Sequence, residues 1–226
     1  KILLINPPRF QGNPMVREMR CAGLSTVSLY PPIELAYLAG ELRKNAEVKI
    51  LDANALNYNF EDVRREIRDF KPSAVIFTTS PASFSYDAKV AETAKEVNKE
   101  IKTILLDSHI APVMPEKIKQ EFPEIDELIG TEPLVNIPKL FGFEGETAIE
   151  KHPLPAYDLL PREKYFSLTF SRKKPFATLI TSSGCPNRCN FCIIGGATIE
   201  RGYGKFWRFK SAEKILEEIK YLLSLG

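Results

Sequence analysis

Three of the four cysteines in this 226-residue chain fall within eight positions, as Cys185-x₃-Cys189-x₂-Cys192. Thiolates are soft ligands that select zinc, copper(I) or iron–sulfur clusters. A structural zinc takes four protein ligands, usually as two separated pairs. The nearest further candidates are His152, upstream across a proline-rich stretch, and Cys21, far away in the chain; no Cys or His follows Cys192. A four-iron cluster held by three cysteines leaves one iron open to a substrate or cofactor, as a catalytic zinc keeps one position free. A zinc knuckle and incidental buried thiols are the alternatives. An ordinary four-cysteine electron-transfer cluster would need Cys21 to reach across from another part of the fold.

The spacing, set after a β-rich run and with Phe191 directly before the last cysteine, resembles the radical S-adenosylmethionine (SAM) family, whose usual wording "SSGCPNRCNFC" follows closely. The resemblance implies a [4Fe-4S] cluster on Cys185, Cys189 and Cys192, with SAM chelated at the open iron and Phe191 beside its adenine. Reductive cleavage of SAM then gives a 5′-deoxyadenosyl radical, and a flavodoxin or ferredoxin supplies the electron. The chemistry belongs to the cofactor, while the protein holds the cluster and excludes water. No catalytic residue is assigned beyond the cluster ligands.

Composition sets the frame around this loop. With 44% hydrophobic residues, 27% charged and a net charge of +2, the chain reads as globular and soluble. It has no basic stripe interleaved with aromatics, which argues against a nucleic-acid partner. Apolar runs such as Ala74 to Phe77 are far below the roughly 20 residues of a membrane span. The opening "KILLINPP" lacks the parts of a signal peptide. Few cysteines and no secretion signal point to a reducing, cytoplasmic setting. With no initiator Met, and a final helical segment "SAEKILEEIKYLLSLG" soon after the cysteines, the chain reads as a fragment of a longer enzyme. An α/β barrel needs about 200 residues or more.

Short β-rich runs occur at Ile2–Ile5, Val48–Leu51, Ala74–Thr79, Thr103–Leu106 and Glu127–Ile129. Between them, Leu35, Leu38 and Leu42, then Val63 and Ile67, then Val90, Ala94 and Val97 repeat at helical spacing. Apolar strands alternating with amphipathic helices predict an α/β fold: a flavodoxin-like, Rossmann-like parallel sheet of five strands. Residues 1–140 form this domain, 141–175 a proline-interrupted linker, and 176–226 the first part of a radical SAM (β/α) barrel. In that last part Ala177–Thr181 is expected to be a strand. Ser211 caps a final helix that buries Ile215, Ile219 and Leu222.

The pairing of these two domains is similar to the cobalamin-binding branch of the radical SAM family. "NPP", "YPPIELAYLAGELRK", "VKILDA", "KPSAVIFTTS" and "LPAYDLLP" carry the likeness along the whole chain. It implies cobalamin across the carboxyl edge of the sheet, touched by the loops Asn6–Pro8, Thr79–Ser83, Asp107–His109 and Gly130–Glu132. The candidate contacts are Asn6, Thr79, Ser80, Ser83, Asp107, Ser108, His109, Gly130, Thr131 and Glu132. His109 is not read as a cobalt ligand, because Asp107-Ser108-His109 follows the fourth strand and position 112 is Pro. Asp107 has a second reading, a bond to the amides of the next helix. His152 reads as a solvated linker residue. Gln11–Tyr30 is long for a compact domain and is expected to overhang the cofactor edge. Phe206 and Trp207 read as core, with Arg208 near the SAM pocket.

The resemblance implies methylation of an unactivated carbon, with methylcobalamin as the methyl donor and a small-molecule or peptide substrate. Two alternatives stay open. One is an enzyme of the same build that rearranges or cyclises its substrate, or does not bind cobalamin. The other is a non-catalytic corrinoid- or zinc-binding module.

Overall fold

The computed structural model describes residues 1–18, 23–24, 28–107, 110–168, 174–184, 187 and 207–226. Five parallel strands form its sheet: β1 (Ile2–Asn6), β2 (Val48–Asp52), β3 (Ala74–Thr78), β4 (Lys102–Leu106) and β5 (Glu127–Ile129). They lie in the order β2-β1-β3-β4-β5, with Ile2 opposite Val48 on one side and Ala74 on the other. This is the flavodoxin-like order, with its switch point between β1 and β3. β1 and β3 are buried along their whole length, as strands covered on both faces must be.

Side-chain alternation sorts the strands between two cores. Leu4, Ile50, Ile76 and Ile104 face the helices α1 (Ile33–Leu42) and, further along the chain, Pro133–Lys139. Leu3, Leu51, Val75 and Leu105 face α2 (Phe60–Phe70), α3 (Lys89–Val97) and Pro115–Glu121. The expected apolar stripes are the buried ones: Leu35, Leu38, Leu42, Val63, Ile67, Val90 and Ala94 are inaccessible, and Val97 is half-buried. Asn59 and Asp62 form a capping box at the start of α2, satisfying two of its orphan amides.

Residues 141–175 add to the first of these cores. Three 3₁₀ turns, at Ile149–Lys151, Tyr157–Leu159 and Arg162–Lys164, bring Tyr157, Leu160 and Tyr165 into it. Ala156 N donates to Ala36 O at 2.9 Å. A Cβ on Gly40 would stand 2.4 Å from Leu154 O, so only glycine allows the linker to approach α1 this closely.

The expected strand at Ala177–Thr181 has no ladder. A parallel strand needs a neighbour, and Tyr157 takes that role instead: its hydroxyl donates to Thr178 O (2.8 Å) and accepts from Thr178 N (2.9 Å). Pairing begins only at Ser182–Ser183, antiparallel to Arg208–Phe209. The final helix, α4 (Ala212–Ser224), is capped by Ser211 Oγ, which accepts from Lys214 N, as expected. Of the expected aliphatic set, Leu222 packs partly buried on the first core and Ile215 is half-buried, but Ile219 is 36% exposed, and the fully buried residue is Glu218. Trp207 is 54% exposed, stacked edge-to-face on Phe209, so it is not core.

Candidate functional site

A cavity of about 440 Å³ lies between the carboxyl end of β1 and the segment entering the cysteine loop. Asn6, Arg17, Glu18 and Glu34 line one side, and Ile180 with Ser182–Gly184 the other. That volume suits a small-molecule ligand. Gly184 directly precedes Cys185. Cys185, Cys189, Cys192 and Phe191 themselves lie outside the described residues, as do Ser108, His109, Cys21 and Phe206.

The loop expected to overhang the edge does so with two charged side chains. The Arg17 guanidinium is 1% exposed and grips Asp87, which is fully buried, through Nε (2.9 Å) and Nη2 (2.8 Å). Nη2 also donates to Pro8 O at 2.6 Å, and Nη1 to Asn6 Oδ1 at 3.3 Å. One residue on, the Glu18 carboxylate accepts from Glu34 N (2.7 Å) and Leu35 N (3.3 Å). α1 opens on Pro32 without a side-chain cap of its own, so Glu18 supplies one from a distant loop. Burial, reinforced by the charge of Glu34, pushes the Glu18 carboxyl well above the usual carboxylate range.

The structure brings Asn6, Thr79, Ser80 and Ser83 together, but it turns them inward. Thr79 Oγ1 (2.9 Å) and Ser83 Oγ (2.6 Å) both donate to Asp87, and Ser80 Oγ pairs with Ser83 Oγ at 2.9 Å. Asn6 Nδ2 donates to Asp52 Oδ1 at 2.9 Å. Asp52 is inaccessible and also accepts from Ala55 N (2.9 Å) and Tyr165 Oη (2.8 Å). Burial raises the Asp52 carboxyl to about 6 against these bonds. Asp107 Oδ2 accepts from Ile110 N and Ala111 N, both at 2.7 Å, which is its second, structural reading.

Gly130, Thr131 and Glu132 stay half-buried at the far end of the edge. Glu132 holds a left-handed backbone (φ 42°) and pairs with Arg208 at 2.5 Å. Behind that pair lies a smaller cavity of about 130 Å³, bordered by Tyr37, Ser183 and His152. His152 is therefore not the solvated linker residue expected. Its Nε2 is buried without a hydrogen-bond partner among the described residues, as is Thr78 Oγ1 at the end of β3. Such buried orphans carry a real cost.

Burial, then the charges of Lys210 and Arg208, lower the His152 imidazole to about 4. An unfolded histidine protonates near 6.5, so the unfolded state takes up the proton first. His152 thus withdraws stability as pH falls from about 6.5 towards about 4. His152→Gln is expected to flatten that limb: between pH 7 and pH 5 its urea midpoint falls less than the wild type's. Equal falls would remove His152 from the acid response.

Sequence reasoning missed Arg17, Glu18, Asp52 and Asp87. Only Arg17 and Glu18 had a visible signal, charged residues in a loop too long to be a mere connection.

Comparison with known proteins adds the following. A family model described as B12 binding domain matches residues 19–135, just over half of the chain. An uncharacterized methyltransferase of Pyrococcus horikoshii is 30% identical over 98% of this chain and 50% of its own length. An anaerobic magnesium-protoporphyrin IX monomethyl ester cyclase of Rubrivivax gelatinosus is 24% identical over 99% of this chain and 42% of its own. The solved structure of OxsB, a cobalamin-dependent S-adenosylmethionine radical enzyme with aqua-cobalamin bound, superposes on the whole chain with a TM-score of 0.72 at 16% identity, covering 32% of that protein. At that identity the likeness concerns the fold. The chain spans half or less of the length of these relatives. No helix among the described residues is long and apolar enough to cross a membrane.

Proposed function

The chain belongs to the B12-binding domain family, and from that premise we propose that it is the cobalamin-binding part of a radical SAM methyltransferase. The observation that carries the reading is the 440 Å³ cavity, which has the carboxyl edge of the sheet on one side and Ser182–Gly184 on the other. A corrin resting on that edge would lie beside the entrance to the Cys185-x₃-Cys189-x₂-Cys192 loop. The edge suits a broad, flat group. The loops after β1, β3, β4 and β5 end there together, and the buried Thr78 hydroxyl lacks a partner among the described residues. When bound, cobalamin supplies a methyl carrier, and a [4Fe-4S] cluster with SAM supplies the radical.

The residues that would hold the corrin are narrower than the sequence suggests. The Thr79 and Ser83 hydroxyls already serve Asp87, so Gly130, Thr131 and the main chain of Asn6–Pro8 are the better contacts. Glu18 and Glu34 would face the space between cofactor and cysteine loop. Carboxyls there can hold a cation or a proton, and the aliphatic wall at Ile180 excludes water. Cys185, Cys189 and Cys192 would bind the cluster, with Phe191 against SAM. The relative from Rubrivivax, a cyclase matched along nearly the whole chain, favours a second reading, the same build used for ring closure.

One experiment separates these. The full-length protein is purified anaerobically, reconstituted with iron and sulfide, loaded with hydroxocobalamin and desalted. One cobalt beside four irons, and substrate gaining the mass of one methyl, is the expected result. Iron without cobalt would end the cobalamin reading. Both metals with no methyl gained would favour the cyclase-like alternative.

A further inference from the structure

In a doubly wound sheet, ligands enter the crevice at the switch point, where the helices on either side part. Here that crevice lies between β1 and β3, and the chain fills it itself. The Arg17 guanidinium reaches in from the overhanging loop and bonds Asn6 and Pro8 beyond β1. It also bonds Asp87, which in turn collects Thr79 and Ser83 beyond β3. Both charged side chains are at most 1% exposed.

We propose that Arg17 is a positioning residue: its ion pair with Asp87 plugs the switch-point crevice and sets the floor on which the cobalamin lies. The inference rests on the cobalamin reading. Four loop residues that look from sequence like cofactor ligands, Asn6, Thr79, Ser80 and Ser83, are instead the socket for Arg17. The pair fixes the heights of the loops after β1 and β3 relative to one another. It also anchors the strap carrying Val16 and Glu18, which form part of the cavity wall. Arg17 stands just before the span matched by the family model, while its partner Asp87 lies within it.

A plug that only stabilised the fold could be replaced by uncharged groups without consequence for binding. Removing one partner of a buried pair is costly because the other is left charged and unpaired, whereas removing both charges is often neutral. The test variant is therefore Arg17→Met with Asp87→Asn, since an asparagine side chain keeps an acceptor for Thr79 and Ser83. In the full-length protein it is expected to melt close to the wild type and to load its full iron. It should bind hydroxocobalamin at least tenfold more weakly, as followed by visible titration. Arg17→Lys keeps the charge but cannot fork to Asn6 and Pro8, and should fall between the two. Cobalamin affinity equal to wild type in the double variant overturns the proposal. If the double variant does not fold, unchanged affinity in Arg17→Lys overturns it equally. A wild type that retains no cobalt fails at the earlier step, and removes the cobalamin reading along with the plug.

Discussion

Lys210→Met is expected to cost about 3–5 kcal/mol, the usual penalty for stranding one member of a buried ion pair. The Lys210 and Glu218 side chains are 0% and 1% exposed, with Nζ and Oε1 2.6 Å apart. Lys210 Nζ also donates to Tyr37 Oη at 2.8 Å and stands 4.3 Å from the centre of that ring. Tyr37 Oη closes the triangle by donating to Glu218 Oε2 at 2.6 Å. Every charged atom is answered, so the network is stable as a whole and intolerant of losing a part. It joins α1 of the sheet domain to Lys210 and α4, which follow the cysteine loop.

Deleting the ammonium leaves a carboxylate in the core with one hydroxyl for company. The loss should begin at α4, which would become open to proteolysis while the sheet remains protected. Replacing all three, as Lys210→Met, Glu218→Leu and Tyr37→Phe, should recover most of the loss, because no polar group is then left behind. Urea midpoints and timed digestion read both variants. A single-variant cost below about 1 kcal/mol would mean that the triangle is not holding the junction.

The same triangle shows where sequence reasoning runs out. Helical spacing in the last segment places Ile215, Ile219 and Leu222 inward, as it would for a helix facing an apolar surface. That face does carry Ile215 and Leu222, and Leu222 packs on the first core, but between them it also carries Glu218, which meets Tyr37 and Lys210 and is the residue fully buried. Nothing local to α4 announces a partner 181 residues away. The strands present the opposite case. Their apolar runs are self-sufficient signals, most clearly in β1 and β3, because a strand covered on both faces is apolar throughout. All five were legible to within a residue or two.

The candidate site divides along the same line. The cysteine loop stands out in the sequence because three thiols at that spacing have few other uses, but Cys185, Cys189 and Cys192 lie outside the described residues, so the fold does not test that reading. The hydroxyl-rich loop after β3 was legible as polar and placed at the ligand edge, but its partner was not. Thr79 and Ser83 turn to Asp87, and Asp87 is spoken for by Arg17, 70 residues earlier. Small polar residues at a sheet's carboxyl edge are as well suited to holding a buried ion pair as to holding a cofactor. Only the far partner distinguishes the two.

Asp52→Asn is expected to stabilise the protein at pH 8 and leave it unchanged at pH 4. Asp52 is inaccessible, and burial raises its carboxyl to about 6 despite bonds from Ala55 N, Tyr165 and Asn6 and the nearby charge of Arg17. An unfolded aspartate titrates near 3.9, so folding favours the protonated form. Its contribution is then fully present below about pH 4 and is lost as pH rises to about 6. A gap of that size is worth about 3 kcal/mol, a cost present at any pH above the window. Asparagine avoids this cost without breaking the network. Its carbonyl can accept from Asn6 and Ala55 N, while its amide can donate to the Tyr165 hydroxyl, which accepts as readily as it donates. Imperfect geometry will take back part of the gain, leaving about 1–3 kcal/mol. Subtracting the two proteins' urea stabilities at each pH isolates this one group from the other carboxylates. A difference that opens between pH 4 and pH 6 and then stays level is the expected curve. A difference independent of pH would show that Asp52 is charged at the same pH folded and unfolded, and that its three bonds fully offset its burial.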